Sequence, residues 1–202
     1  MNVRASHCVQ AGYLMIEVLI TLFILAIGLL GVVGLQARAE QAETDSYQRT
    51  QALILAQDMA DRISTNRTDA FDTTTSPYIV PTTAPLGTGT AKDCSGTLTT
   101  ISDVDLCAWQ SALLGAAESS GGTCDTSVGT TGSHCAGTLL NARGCITSPA
   151  AHIYLIQVVW QGLTPSAAPP ASVVCGQTLY GANDDLRRAV TTVVQIPDVT
   201  AP

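Results

Sequence analysis

The chain has 202 residues and a formal charge of −7, from 9 Lys plus Arg against 16 Asp plus Glu, and that length suits one ordinary domain with a membrane segment rather than two domains. The cations are few and scattered, so there is no basic track for a phosphate backbone, and nucleic acid is not an expected partner. Hydrophobicity is segregated, with an almost uncharged apolar block near the N-terminus and a Thr, Ser, Gly and Ala-rich remainder.

The apolar block reads "AGYLMIEVLITLFILAIGLLGVVGLQ" over residues 11–36, and between residues 13 and 35 its only ionisable groups are Glu17 and the Tyr13 phenol. At about 1.5 Å per residue, a helix over 13–35 spans the ~30 Å hydrocarbon core of a bilayer. A secretory signal peptide has a shorter apolar region, about 7–15 residues, and a cationic start; here Arg4 is the only strongly basic side chain ahead of the block. Arg4 and the amino terminus precede the helix, whereas Glu40, Glu43 and Asp45 outnumber Arg38 just after it. The positive-inside rule therefore predicts a cytoplasmic N-terminus with the remainder outside. Glu17 is the anomaly, because an acid within a membrane helix is costly unless it snorkels to the headgroups or has a function.

The surroundings of Glu17 favour a function. In "GYLMIE" a glycine, Gly12, is followed by an aromatic residue, three apolar residues and the carboxylate, at the start of a continuous apolar helix and after a short polar leader. This resembles the class III signal of type IV pilins and their relatives. The resemblance implies that a prepilin peptidase cuts after Gly12 and methylates the new amino group of Tyr13, and that Glu17 meets the N-terminus of a neighbouring subunit during assembly. Tyr13, Leu14 and Met15 stand where the commonest pattern has Phe, Thr and Leu, and the leader "MNVRASHCVQAG" is poor in basic residues. Further along, "ILAIGLLGVVGLQ" spaces Gly28, Gly31 and Gly34 at intervals of three. Such glycines either admit a neighbouring backbone or loosen the helix by nearly ~1 kcal/mol each relative to Ala, and they are read as flex points. The same run is similar to the type IV pilus modification proteins, the PilV family of minor pilins.

Helical patterning continues outward. Residues 36–51 are polar nearly all round and suit a solvated neck or a surface that meets other subunits. Between residues 52 and 63, Ala52, Leu53, Leu55, Ala56, Met59, Ala60 and Ile63 form an apolar stripe opposite Gln57, Asp58, Asp61 and Arg62, with Ile54 as the exception. The spacing of Asp58 and Arg62 allows an ion pair. One helix over 14–66 is the expected result. A Thr, Pro and Gly-rich connection follows, with "YIV" a candidate short strand. "SDVDLCAWQSALLGAA" carries Ser102 and Asp105 at capping-box spacing, and Val104, Cys107, Leu113 and Leu114 are available for a buried face. "ESSGGTCDTSVGTTGSHCAG" reads as a loop. "GCITS", "HIYLIQVVWQG" and "LRRAVTTVVQIP", rich in β-branched and aromatic residues, read as strands.

Six cysteines, Cys94, Cys107, Cys124, Cys135, Cys145 and Cys175, lie in the latter part of the chain, and Cys8 precedes the apolar block. An even set in a loop-rich region, without the short C-x-x-C spacing of zinc sites, reads as disulfides formed in an oxidising compartment. Spacing does not choose among the possible pairings; the working expectation joins neighbours, Cys94 with Cys107, Cys124 with Cys135 and Cys145 with Cys175. The histidines, His7, His134 and His152, accompany no nucleophile motif. The acidic pairs Asp103 with Asp105 and Asp184 with Asp185 fit capping or turns better than calcium, which takes more oxygen ligands.

These readings predict an α+β protein. Residues 1–12 form a prepilin leader, 13–35 a transmembrane and assembly helix, 36–66 the outer half of the same helix, and 67–202 a disulfide-linked head built on a small antiparallel sheet. The resemblance implies a non-catalytic minor pilin without cofactor or metal, held in the bacterial inner membrane with a periplasmic head before it enters the pilus. The partners it implies are prepilin peptidase, other minor pilins and the major pilin, the inner-membrane assembly machinery and a tip adhesin, and the processes it implies are adhesion and twitching motility. Two alternatives stay open: a pseudopilin of a type II secretion system, and a membrane-anchored extracytoplasmic domain that binds or catalyses.

Overall fold

The computed structural model describes residues 13–72, 74, 76–89, 92–115 and 139–198, with side chains from residue 15 onward. Helix α1, Tyr13–Thr65, is 53 residues long. No proline interrupts it, since the first in the chain is Pro77, and its many Leu and Ala residues supply high helix propensity. The chain divides into two units, Met1–Thr44 and Asp45–Pro202. In the first, every side chain described is exposed.

The second unit contains the end of α1, a single turn α2 (Arg67–Ala70), strand β1 (Leu86–Gly87), helix α3 (Ile101–Leu113), and strands β2 (Arg143–Ala150), β3 (Ile153–Gln161) and β4 (Arg187–Gln195). The strands form one antiparallel sheet in the order β1-β2-β3-β4. Side chains alternate across it. The even-numbered residues Tyr154, Ile156, Val158 and Trp160 of β3, with Val190 and Val194 of β4, share one apolar cluster with Ala52, Ala56, Met59, Ala60 and Ile63 of α1 and with Trp109 and Leu113 of α3. On the opposite face Cys145 and Val159 pack with Val173, Cys175 and Tyr180. Covering both faces explains why β3 is buried continuously from Ile156 to Trp160.

Close approach fixes two glycines. A Cβ on Gly144 of β2 would lie 2.3 Å from the Trp109 ring and 2.9 Å from Leu113, so α3 can lie on the sheet only where β2 has no side chain. Gly87, at φ +105°, stands in the left-handed region, and a Cβ there would meet the Ala142 carbonyl oxygen at 2.4 Å.

Several local expectations need correction. Leu53 is exposed together with Ile54, and Leu55 is only half-buried, so the stripe is narrower than predicted and is made mainly of alanines. Gln48, in the nominally solvated neck, is buried; its Oε1 accepts from Trp160 Nε1 at 3.3 Å. It lies one turn before Ala52 and belongs to the same stripe. "YIV" yields a single bridge, Val80 with Ile146, because the chain turns at once on either side. The two-residue β1 was not anticipated. Helix α3 is capped two residues earlier than predicted: Thr100 Oγ1 accepts from Asp103 N at 3.1 Å, while Ser102 and Asp105 turn inward. With the helix in that phase Val104 is exposed, and Leu106, Cys107, Trp109 and Leu113 form the apolar part of the buried face.

The narrowed stripe separates neighbouring leucine-type positions by cost. In urea unfolding of the full chain in detergent micelles, Ile63→Ala should lower stability by about 2–5 kcal/mol, because it empties a fully buried site. Leu53→Ala should change it by no more than about 0.5 kcal/mol.

Candidate functional site

The sequence directs attention to the start of α1. Its large apolar side chains stand in the open: Met15 is 73% exposed, Phe23 67%, Leu30 72% and Leu35 70%. The helix is long and apolar enough to cross a membrane, with a best-window mean hydropathy of 2.9 and none of that window buried within the chain. A patch of this extent is unfavourable in water and calls for lipid or other helices to cover it. Glu17 lies within it and makes no hydrogen bond or ion pair among the described residues. At about 100° per residue, Thr21, Ile24, Gly28, Gly31 and Leu35 lie within about 40° of Glu17 around the helix axis, whereas Gly34 falls on another face. A Cβ on Gly28, Gly31 or Gly34 would meet nothing within 4 Å, so packing inside this chain does not require these glycines. Tyr13 is the first residue of α1. Gly12 and the leader lie outside the described residues.

In the second unit the charged side chains form a polar tie rather than an open site. Arg62 donates from Nε to Asp58 Oδ2 at 2.9 Å and from Nη1 to Asp105 Oδ1 at 3.1 Å. Tyr78 donates its hydroxyl to Asp105 Oδ2 at 2.5 Å and accepts from Asn66 Nδ2 at 2.9 Å. The end of α1, the 66–78 segment and α3 are thus joined through one carboxylate. Burial, reinforced by that hydrogen bond, pushes the Tyr78 phenol well above its usual range. The Arg62 guanidinium is held further toward its charged form, chiefly by Asp58.

The other acidic pairs also have local partners. Asp103 bonds Lys92 Nζ at 2.7 Å and accepts from Thr100 Oγ1 at 2.8 Å, and these contacts hold its carboxyl below the usual range. Asp184 accepts from the Thr178 amide at 2.8 Å and faces Arg187 Nε at 3.3 Å. Among the described residues no group of three metal-ligating side chains occurs. His152, at φ 59°, places Nδ1 2.7 Å from the Phe71 carbonyl oxygen and stacks against the Phe71 ring; it is a packed turn residue. His7 and His134 lie outside the described residues.

Two disulfides staple the second unit. Cys94 is bonded to Cys107 with Cα atoms 5.7 Å apart, which ties the loop before α3 to the helix itself. Cys145 is bonded to Cys175, which ties β2 to the segment covering the outer face of the sheet. Cys124 and Cys135 lie outside the described residues.

A long N-terminal helix with an uncovered apolar first half, followed by a four-stranded antiparallel sheet, is the α+β architecture of pilin-like proteins. The model of a family described as Tt1218-like, Type IV pilin Tt1218, matches residues 34–110, which supports a type IV pilin-like protein. The match runs from the last of the three helix glycines through Trp109 and Gln110 of α3, less than half of the chain. No curated protein and no solved structure matches it significantly. Pilin-like character goes with a structural rather than a catalytic role and with association among pilus components, and with the apolar helix it is compatible with membrane anchoring and a surface pilus.

Two outcomes test the polar tie and the staples. A phenol whose folded pKa is raised contributes stability that is fully present below its unfolded value of about 10 and is lost as pH rises toward the folded value. The urea midpoint should therefore fall above about pH 10, where Tyr154 and Tyr180, also raised by burial, contribute in the same direction. Tyr78→Phe should lower the midpoint at neutral pH by the equivalent of about 1–3 kcal/mol, since Asp105 loses a buried donor, and should flatten the alkaline fall. Thiol labelling of the exported, denatured but unreduced protein should find no reactive cysteine after residue 13. Two or more reactive thiols would remove the disulfide framework, and reduction should cost about 2–4 kcal/mol per bridge.

Proposed function

We propose that the chain is a minor pilin of the type IV pilus modification (PilV) kind, made with the leader 1–12, cut after Gly12 by prepilin peptidase and methylated at Tyr13. The observation that carries this reading is the uncovered apolar segment of α1 with an unpartnered Glu17 on the same face as Gly28 and Gly31. In the lone subunit the carboxylate is a cost. In a bundle of helices it meets the amino group of a neighbour's first residue, and the two charges compensate each other. Removing one member of such a buried pair typically costs about 3–5 kcal/mol, enough to decide whether a subunit docks in register. Gly28 and Gly31 then let a neighbouring helix approach on the Glu17 side, and Gly34, off that face, is left as a flex point.

On this reading 13–35 anchors the subunit in the inner membrane before assembly, with 36–66 and the 67–202 head on the periplasmic side. Other minor pilins, the major pilin and the inner-membrane assembly machinery are its partners, and a tip adhesin is a further one. Its work is to initiate or modify the pilus, with consequences for adhesion and twitching motility.

The two ends of "GYLMIE" separate processing from assembly. Gly12→Val should leave an uncleaved membrane protein. Glu17→Gln should be cleaved and inserted normally but recovered from sheared pili at a small fraction of the wild-type level. N-terminal sequencing and quantification in the pilus fraction read the two defects independently. A Glu17→Gln protein that enters pili as well as the wild type would return the carboxylate to the snorkelling role.

A further inference from the structure

The sheet ends at β4, and among the described residues no strand pairs with its far side. The ladder shows what that side presents. Ile196 N donates to the His152 carbonyl and Gly162 N to the Leu186 carbonyl. Even-numbered residues of β4 therefore face β3, and the backbone N–H and C=O groups of Ala189, Thr191, Val193 and Gln195 point outward. Among the described residues these four have no backbone partner beyond the sheet.

Edge strands are ordinarily blunted by a lysine, a proline, a bulge or sheer shortness, because an open row of donors and acceptors is a template for another strand. Strand β4 uses none of these from Ala189 onward. All nine of its residues pair with β3 without a register shift, whereas the β2–β3 pairing is interrupted between Thr147 and Ala150. The stretch "AVTTVVQ" carries no charge and no proline, is strongly β-forming, and leaves Val193 64% exposed.

The upstream end of the edge adds a charge pattern. A recess of about 430 Å³ lies between the edge and the loop with Pro169, Pro170 and Val173, and a second of about 250 Å³ is lined by Asp45, Arg49 and Trp160; Arg188 and Ala189 line both. Arg188 is held by the carbonyl oxygens of Thr164 and Asp185, at 2.7 and 3.2 Å, and among the described residues no carboxylate pairs with it or with Arg49. Asp45 is the one acid lining these recesses; with Arg187 paired to Asp184, Asp45 faces Arg49 and Arg188 and leaves one positive charge in excess.

We propose that the outer edge of β4 receives an extended segment of another polypeptide, added as a further strand along residues 189–195, with an acidic side chain of that segment seated at Arg49 and Arg188. The occupant follows from the chemistry. Outward N–H and C=O groups repeating every second residue, about 7 Å apart, are matched group for group only by another extended backbone. The two unpaired guanidinium groups select a carboxylate at one end. The proposal does not rest on the filament reading and specifies a partner surface that the helix does not supply.

The test uses the full chain in detergent micelles and a fluorescein-labelled octapeptide of alternating valine and threonine with glutamate at each end. Binding should slow amide exchange at Ala189, Thr191, Val193 and Gln195 about tenfold and leave Val190, Thr192 and Val194, already bonded to β3, unchanged. Thr191→Pro removes an outward donor without touching the β3 ladder and should abolish binding while Val190 and Val194 stay protected. Arg49→Glu, on an exposed helix position, should weaken binding about tenfold and should do so less at high salt. A peptide with lysine at each end should bind at least about tenfold more weakly. The proposal is overturned by absent or displaced protection in the wild type, by equal binding to Thr191→Pro, or by equal affinity for the lysine-ended peptide.

Discussion

Burial of Ala52, Ala56, Met59, Ala60 and Ile63 against the even-numbered face of β3 and β4 constrains the rest of the head. Side chains in a strand alternate, so a slip of one residue would turn Tyr154, Ile156, Val158 and Trp160 away from the helix and bring Leu155 and Gln157 toward it. The stripe therefore sets the register of the sheet, and the register sets which backbone groups of β4 remain open. The alanines matter because they carry little bulk, leaving the space between helix and sheet to Met59, Ile63 and the aromatic residues. Trp109 completes the arrangement by donating from Nε1 to the Leu55 carbonyl at 2.9 Å while its ring fills the place that Gly144 leaves empty.

The two parts of α1 answer to different demands. Up to Thr44 every described side chain is exposed, and the residues that stand out there, Glu17, Gly28, Gly31 and Gly34, are unexplained by packing against the described residues. From Gln48 onward the helix behaves as an ordinary core element, with Ala52, Ala56, Met59, Ala60 and Ile63 buried and Arg62 bonded to Asp58 and Asp105. One continuous helix thus carries a segment whose stability is settled by other molecules and a segment whose stability is settled by this chain. That division explains how a carboxylate and three glycines, each a cost in isolation, can persist in an otherwise uninterrupted helix.

Much of this was legible in the sequence, because helix and strand signals are local. The absence of proline before position 77, the apolar run and the β-branched segments near 144–148, 152–162 and 186–197 locate the long helix and three of the four strands. What was not legible depends on distant partners. Thr100 and Ser102 both have an aspartate three residues on, and only Arg62 and Tyr78, far away in sequence, decide that Asp105 is drawn inward and that Thr100 caps the helix. Gln48 reads as a surface residue until Trp160 is placed against it. Leu53 fits the apolar stripe by angle, but the sheet reaches only as far as the alanines. Glu17 shows the converse: with Gly12 and Tyr13 it stands out in the sequence as a pattern, while among the described residues it makes no hydrogen bond or ion pair.

The order of the cysteines bears on how such a chain matures. In each described bridge a cysteine is joined to the next one along the chain, Cys94 to Cys107 and Cys145 to Cys175. In a polypeptide that reaches an oxidising compartment in chain order, Cys94 appears before Cys107 and Cys145 before Cys175. For these two bridges the native partner of the first thiol is the next cysteine along the chain, so an oxidant that links thiols in that order makes both bonds directly. The sheet follows the same logic, since β1, β2, β3 and β4 are adjacent in space in the order in which they are translated. The two described bridges therefore require little rearrangement by a disulfide isomerase.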